Sequence, residues 1–102
     1  MFERVLKAMR EKIRGRHYVM TLHAEEEMDN DELTIYDVER GILTGRIIER
    51  QKERAAWEWK YRIKGRTLAG DGVELIAKLG ATGSVVIITV YRSKSSRTGE
   101  DL

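Results

Sequence analysis

The sequence predicts one α+β domain, in which about three N-terminal helices pack on one face of a four-stranded antiparallel meander sheet. Apolar residues repeat at helical spacing up to residue 44, and from residue 46 onward they repeat at a period of two. Helices that precede a run of strands are typical of the α+β class. A chain of 102 residues suits one core, so we expect a single domain over 1–92 and a flexible polar tail over 93–102.

The first predicted element is a helix over roughly residues 2–14. Its apolar residues lie at steps of one, three and four, and they are Phe2, Val5, Leu6, Met9 and Ile13. Gly15 follows at the position where a left-handed C-terminal cap is expected.

The second predicted helix begins after the segment HYVMT (17–21), which suits a short extra strand or an extended link. Thr21 is an N-cap residue type, and it predicts a helix through residue 28. The three glutamates at 25–27 then lie near the positive end of the helix dipole, where carboxylates are favoured. These acids therefore need no functional explanation.

The third predicted helix begins at Thr34, because Asp37 follows three residues later as in a capping box. Apolar residues continue at helical spacing until Gly45 ends the pattern. Gly41 lies inside this helix and weakens it.

Four strands are predicted after the helices, namely RIIERQKE (46–53), WEWKYRIKGRTL (57–68), VELIAKLG (73–80) and SVVIITVYR (84–92). The separating segments RAA, AGDG and ATG suit turns. In the second strand, apolar residues alternate with charged ones, so one face is apolar and the other is cationic. The apolar residues are Trp57, Trp59, Tyr61 and Ile63, which we expect in the core beneath the helices.

Composition limits the classes of function. The net charge is +2 and the chain contains no cysteine, which excludes disulfides, thiolate catalysis and zinc sites built on sulfur. The longest apolar run, VVIITV (85–90), is too short to span a bilayer. The first residues lack the apolar segment of a secretion signal. We therefore expect a cytoplasmic protein with no membrane partner.

His23 is the first candidate for chemistry, because Glu26 and Glu27 follow it by about one helical turn. An imidazole oriented by a carboxylate suits general acid or base catalysis. The alternative is an ordinary histidine at a helix start. The acidic residues over 25–32 lack EF-hand spacing, and the chain has no H-E-x-x-H pattern, so we predict no metal and no cofactor.

The cationic strand face is the second candidate. Lys60, Arg62 and Lys64 alternate along it and suit contact with an RNA backbone, and Arg92 ends the last strand. The planar guanidinium of arginine donates two hydrogen bonds to one phosphate. The alternative is a sheet surface that faces only solvent.

Four segments together resemble a family of small bacterial domains of unknown function: T-x-H-A-x-x-x-M (21–28), DVERGILTGRIIE (37–49), KYRIKG (60–65) and VIITVYR (86–92). Members share an S/T-x-H-A-x-x-R-M helix and a final I-T-x-Y strand, and the resemblance covers roughly 17–92. That family in turn resembles the barnase-like and RelE/ParE-like toxin ribonucleases, in which helices pack on one antiparallel sheet.

This resemblance implies a metal-independent endoribonuclease of a toxin–antitoxin system, with RNA as substrate and a cognate antitoxin as a protein partner. It implies that His23 is a base or an acid and that Tyr91 is a hydrogen-bond donor. It also implies that Arg62 and Arg92, with Lys60 on the same strand as Arg62, bind phosphate.

The sequence departs from the family pattern at several positions. Where relatives carry arginine in the helix motif this chain has Glu27 and Asp31, and the usual glycine is Glu32. Some relatives have a second histidine where this chain has Glu74 or Leu75. Acidic side chains near His23 would repel RNA. The alternative function is therefore a non-catalytic protein–protein interaction module. A homodimer through an open sheet edge is a further expectation.

Overall fold

In a computed structural model, residues 1–53 and 58–93 are described and form three helices and five strands. The elements are α1 (Glu3–Arg14), β1 (Tyr18–Met20), α2 (Leu22–Asn30), α3 (Ile35–Thr44), β2 (Arg46–Glu53), β3 (Glu58–Arg66), β4 (Gly72–Leu79) and β5 (Val85–Arg92). The predicted α+β class is confirmed. The predicted turn at 54–56, the core position of Trp57 and the tail over 94–102 lie outside the described residues.

The sheet has the strand order β1-β5-β4-β3-β2. Strands β2 to β5 form the predicted antiparallel meander. The prediction of four antiparallel strands needs a correction, because β1 adds a fifth strand and pairs with β5 in parallel. A strand of three residues has too little alternation to indicate its direction or its partner, so the sequence left this segment open.

Both predicted N-caps are confirmed. The Thr21 hydroxyl accepts a hydrogen bond from the backbone N–H of Ala24 at 3.1 Å. Thr34 and Asp37 form a full capping box, in which each side chain accepts a bond from the other residue's backbone N–H. These local bonds set where α2 and α3 begin.

The C-terminal end of α1 differs from the prediction. Gly15 has a φ of −85°, and the left-handed residue is Arg16 with a φ of 60°. The backbone N–H of His17 then donates to the carbonyl of Lys12 at 2.8 Å, which completes a Schellman motif. The left-handed position therefore lies one residue later than the glycine.

The end of α2 repeats this motif. Glu32 is left-handed with a φ of 56°, and the N–H of Leu33 donates to the carbonyl of Met28 at 2.8 Å. Leu33 is buried, as is usual for the residue after a left-handed cap. The glycine of the family pattern thus corresponds to a backbone position that favours glycine.

Helices α1 and α3 pack on one face of the sheet around a core that includes Met9, Ile42, Ile63, Leu75 and Ile87. The backbones of α3 and β3 touch, because a Cβ atom on Gly65 would lie 2.0 Å from the carbonyl oxygen of Gly41. This close approach requires glycine at position 65. Gly41 weakens α3 as a helix, but a Cβ atom on it would lie 2.8 Å from Cγ1 of Val73 in β4, so packing against the sheet favours glycine there.

Trp59 departs from its predicted core position. Its side chain is 37% exposed, and the Arg50 guanidinium carbon lies 3.9 Å from the centroid of its ring. Tyr61 and Ile63, further along β3, are buried as predicted. None of the helices in the described part of the chain is long and apolar enough to cross a membrane.

Candidate functional site

Arg62 lies in the middle of β3, on the sheet face opposite the helices, which we call the open face. Its Nη1 atom lies 3.6 Å from Oε1 of Glu49, and its Nε atom lies 3.6 Å from Oε1 of Glu74. Its Nη2 atom lies 3.5 Å from the hydroxyl of Tyr91, which in turn donates to Oε1 of Glu74 at 2.8 Å. We call Glu49, Arg62, Glu74 and Tyr91 the open-face cluster.

The sheet register explains these contacts, because each of the four strands from β2 to β5 contributes one residue. Tyr91 is paired with Glu74, and Arg62 is paired with Glu49. Alternation along β3 and β4 turns Arg62 and Glu74 away from the buried residues between which they lie. The strand register therefore brings these four polar side chains together on the open face of the sheet.

Tyr91 is a hydrogen-bond donor in this cluster. Burial raises the pKa of Tyr91, and the hydrogen bond to Glu74 and the negative charges of Glu74 and Glu27 raise it further, against an opposing effect of Arg62. The phenol is therefore protonated at neutral pH.

His23 contacts Glu27, one helical turn further along α2. Its Nε2 atom is 3.3 Å from Oε2 of Glu27, and its side chain is 64% exposed. The other carboxylate oxygen of Glu27 accepts a hydrogen bond from the backbone N–H of Val90 at 3.2 Å. Because Tyr91 follows Val90, Glu27 connects His23 to the strand that carries Tyr91.

Arg92 lies apart from the cluster. It directly follows Tyr91 in β5, so the two side chains point to opposite faces of the sheet. Its guanidinium donates to Oδ2 of Asp71 and to the carbonyl of Asp31, both at 3.0 Å. Arg92 thus links the end of β5 to the turn before β4 and to the end of α2, and the structure does not bring it near Arg62.

The edge of β5 beyond β1 is covered by side chains of α2 and its cap. Strand β1 pairs only with residues 85–87. Further along, the hydroxyl of Thr21 donates to the carbonyl of Ile88 at 3.0 Å, and Asp31 accepts from the N–H of Arg92 at 2.7 Å. Together with the bond from Val90 to Glu27, these contacts satisfy backbone groups that an edge strand leaves unpaired.

Comparison with known proteins gives a family for this chain. Residues 20–92 match a family described as a domain of unknown function, DUF4258. The chain belongs to this family. No curated protein and no solved structure matches it.

The matched DUF4258 region contains His23 and the whole open-face cluster, whereas α1 lies before it. This agrees with the resemblance to small domains of unknown function that the sequence motifs indicated.

Two cluster residues were not predicted as site residues, Glu49 and Glu74. Glu74 interrupts the apolar run of β4, and alternation along the strand places it on the same sheet face as Lys78. The sheet face of Glu74 could therefore be predicted from the sequence. The sheet face of Glu49 could not be predicted, because an irregularity in the β2–β3 pairing between Ile47 and Glu49 changes the alternation of side chains.

The arrangement in this DUF4258 domain combines a cation, proton acceptors and a proton donor within a few ångströms. Lys60 lies on the open face two residues before Arg62 and is half-buried. Among the described residues, no three His, Asp or Glu side chains form a group that holds a metal ion. Proton transfer beside a bound anion is the chemistry that these side chains fit.

Proposed function

We propose that this DUF4258 domain is an endoribonuclease that cleaves RNA phosphodiesters with its own side chains. The contact of Arg62 with Glu74 and Tyr91, on the sheet face opposite the helices, is the observation that carries the proposal. The resemblance of the sequence motifs to toxin ribonucleases supports it. RNA is the proposed substrate, and a cognate antitoxin that covers the open face is the proposed protein partner.

The proposed reaction is an internal transfer of the phosphoryl group. The ribose 2′-oxygen attacks phosphorus and loses its proton to a base, while the bond from phosphorus to the 5′-oxygen breaks. The leaving 5′-oxygen takes a proton from an acid. The products are a 2′,3′-cyclic phosphate and a 5′-hydroxyl, so the step consumes no water and needs no oxidant or reductant.

Two proton-transfer groups are needed, and we assign them to Glu74 and His23. Glu74 is 15% exposed, and its Oε1 atom accepts a hydrogen bond from the hydroxyl of Tyr91. His23 is exposed beside Glu27, and an exposed imidazole can exchange protons with a bound strand. Arg62 donates hydrogen bonds to the phosphoryl oxygens as charge builds on them, while the single hydroxyl proton of Tyr91 stays hydrogen-bonded to Oε1 of Glu74 and orients that carboxylate.

The interaction module is the second candidate, and two observations favour it. Arg62 lies near two carboxylates, Glu49 and Glu74, which already neutralise its charge. Val19 and Leu22 are 55% and 71% exposed on either side of Thr21, where a protein partner would bury them. In this case the charged residues stabilise the fold, and the open face binds no RNA.

An RNA cleavage assay in excess chelator separates the two functions. We expect the wild type to cleave single-stranded RNA, and His23→Ala and Arg62→Ala each to lose on the order of a hundredfold in rate or more. Glu26→Ala is the matched control, because Glu26 is exposed on the same helix as His23. Equal cleavage by wild type and His23→Ala removes His23 from the mechanism. No cleavage by the wild type rejects the endoribonuclease and favours the interaction module.

A further inference from the structure

Glu49 reaches Arg62 because of a bulge in β2. The pairing runs from Ile47 opposite Ile63 directly to Glu49 opposite Arg62, so Ile48 is an extra residue in β2. With regular pairing, Ile48 would lie opposite Arg62 instead. Bulges change the direction of a side chain in this way and are common beside functional sites.

The two carboxylates near Arg62 are held differently. Glu74 is 15% exposed and accepts a 2.8 Å hydrogen bond from Tyr91, so it is fixed in the cluster. Glu49 is 45% exposed, and its contact with Arg62 is 3.6 Å long. Gln51, two residues along the same strand, donates to the other carboxylate oxygen of Glu49 at 3.2 Å. An exposed, long ion pair of this kind contributes little and is easily replaced.

We propose that Glu49 occupies the phosphate subsite of Arg62 and competes with RNA for it. This inference rests on the proposed function and names a residue that limits the affinity for the substrate. A guanidinium donates to a carboxylate and to a phosphate through the same planar fork. A phosphodiester therefore displaces Glu49 from Nη1 of Arg62, while Glu74 and Tyr91 keep their positions.

The test measures binding of a short 2′-O-methyl RNA, which lacks the nucleophile and is not cleaved, by fluorescence anisotropy at low salt. We expect Glu49→Gln to bind about three- to fivefold more tightly than the wild type, which is the upper range for one exposed ion pair. Glu58→Gln is the matched control, because it removes one negative charge from β3, where Glu58 pairs with Lys78 at 2.7 Å. The double variant Glu49→Gln/Arg62→Ala should bind no better than Arg62→Ala alone.

The outcomes separate this inference from the proposed function. If Glu49→Gln binds the RNA more tightly than the wild type and Glu58→Gln does not, the result supports competition by Glu49 for the phosphate subsite, whether or not RNA is cleaved. Equal gains in both variants indicate a general charge effect and overturn it. If the wild type cleaves RNA but Glu49→Gln binds no more tightly, the inference fails and the endoribonuclease stands. Absence of binding by every folded variant rejects both.

Discussion

The carboxylate of Glu27 accepts a hydrogen bond from the backbone N–H of Val90 at 3.2 Å, and this bond joins α2 to the edge of β5. Asp31 makes the equivalent bond to the N–H of Arg92 at 2.7 Å. The acids at these two positions, where the resemblance of the sequence motifs predicts arginine, therefore cap a strand edge. Their presence is explained by the fold, and it does not by itself mark a lost active site.

Loss of the Glu27 carboxylate should destabilise the domain. We expect Glu27→Ala to cost about 1–2 kcal/mol of unfolding free energy, because it leaves the N–H of Val90 without its partner. Glu27→Gln keeps an acceptor and should cost less than half as much. Urea denaturation measures both, and amide exchange at Val90 should quicken in Glu27→Ala. Equal stabilities of Glu27→Ala and the exposed control Glu26→Ala would contradict the capping role.

A glycine at position 32 should stabilise the domain. Glu32 has a φ of 56°, a left-handed conformation that costs most residues other than glycine about 1–2 kcal/mol. After the larger entropy of glycine in the unfolded chain is subtracted, we expect Glu32→Gly to gain about 0.5–1 kcal/mol. Glu32→Ala is the control, since the left-handed backbone conformation is as unfavourable for alanine as for glutamate. Thermal unfolding measures the three proteins, and a gain with alanine equal to that with glycine would point to charge removal instead.

Arg10 should be important for the end of α3. Its Nη2 atom donates to the carbonyl of Gly45 at 2.6 Å and its Nε atom donates to that of Ile42 at 3.3 Å. A cation at the C-terminal end of a helix is also favoured by the helix dipole. We expect Arg10→Ala to cost about 1–3 kcal/mol in urea denaturation, and exposed Arg14→Ala on the same helix to change stability by less than about 0.5 kcal/mol. Similar losses in both variants would refute the specific role of Arg10.

The capping box of α3 should make stability depend on pH in acid. Burial works to raise the pKa of Asp37, but hydrogen bonds from the backbone N–H groups of Thr34 and Leu68 outweigh it and hold the pKa below its ordinary value of 3.8. Because the pKa of Asp37 is lower in the folded state than in the unfolded state, its ionised carboxylate stabilises the fold at pH values above the unfolded-state pKa. This stabilisation is lost as the pH falls through the folded-state pKa.

Asp37→Asn tests this pH dependence. We expect it to be less stable than the wild type at pH 7 by about 0.5–2 kcal/mol, with a difference that shrinks below about pH 4. Denaturant unfolding at a series of pH values from neutral to acid checks the result. A difference that stays constant across that range would contradict the assignment.

The sequence predicted the parts of the fold that depend on neighbouring residues. Thr21 and Thr34 marked the helix starts, because a cap bonds within its own helix. The alternation of side chains in β3 predicted that Tyr61 lies on the buried sheet face and Arg62 on the opposite face. Arg62 and Tyr91 were both candidates, and the structure places them in contact.

The remaining features depend on pairing between distant segments. The bulge at Ile48 exists only in the register of β2 against β3, so Glu49 was not a predicted site residue. Likewise, the sequence did not predict that Asp31 and Asp71 accept hydrogen bonds from Arg92 in the folded chain. Local patterns do not contain these long-range contacts.

Cleavage of a DNA oligonucleotide that contains a single ribonucleotide tests the central claim most directly. With excess chelator present, we predict one cut, on the 3′ side of the ribonucleotide, that leaves a 2′,3′-cyclic phosphate and a 5′-hydroxyl. The all-deoxy strand should stay intact, and Arg62→Ala should lose the cut. An intact ribonucleotide-containing strand, or cleavage of the all-deoxy strand, would contradict an endoribonuclease site built on Arg62, Glu74, Tyr91 and His23.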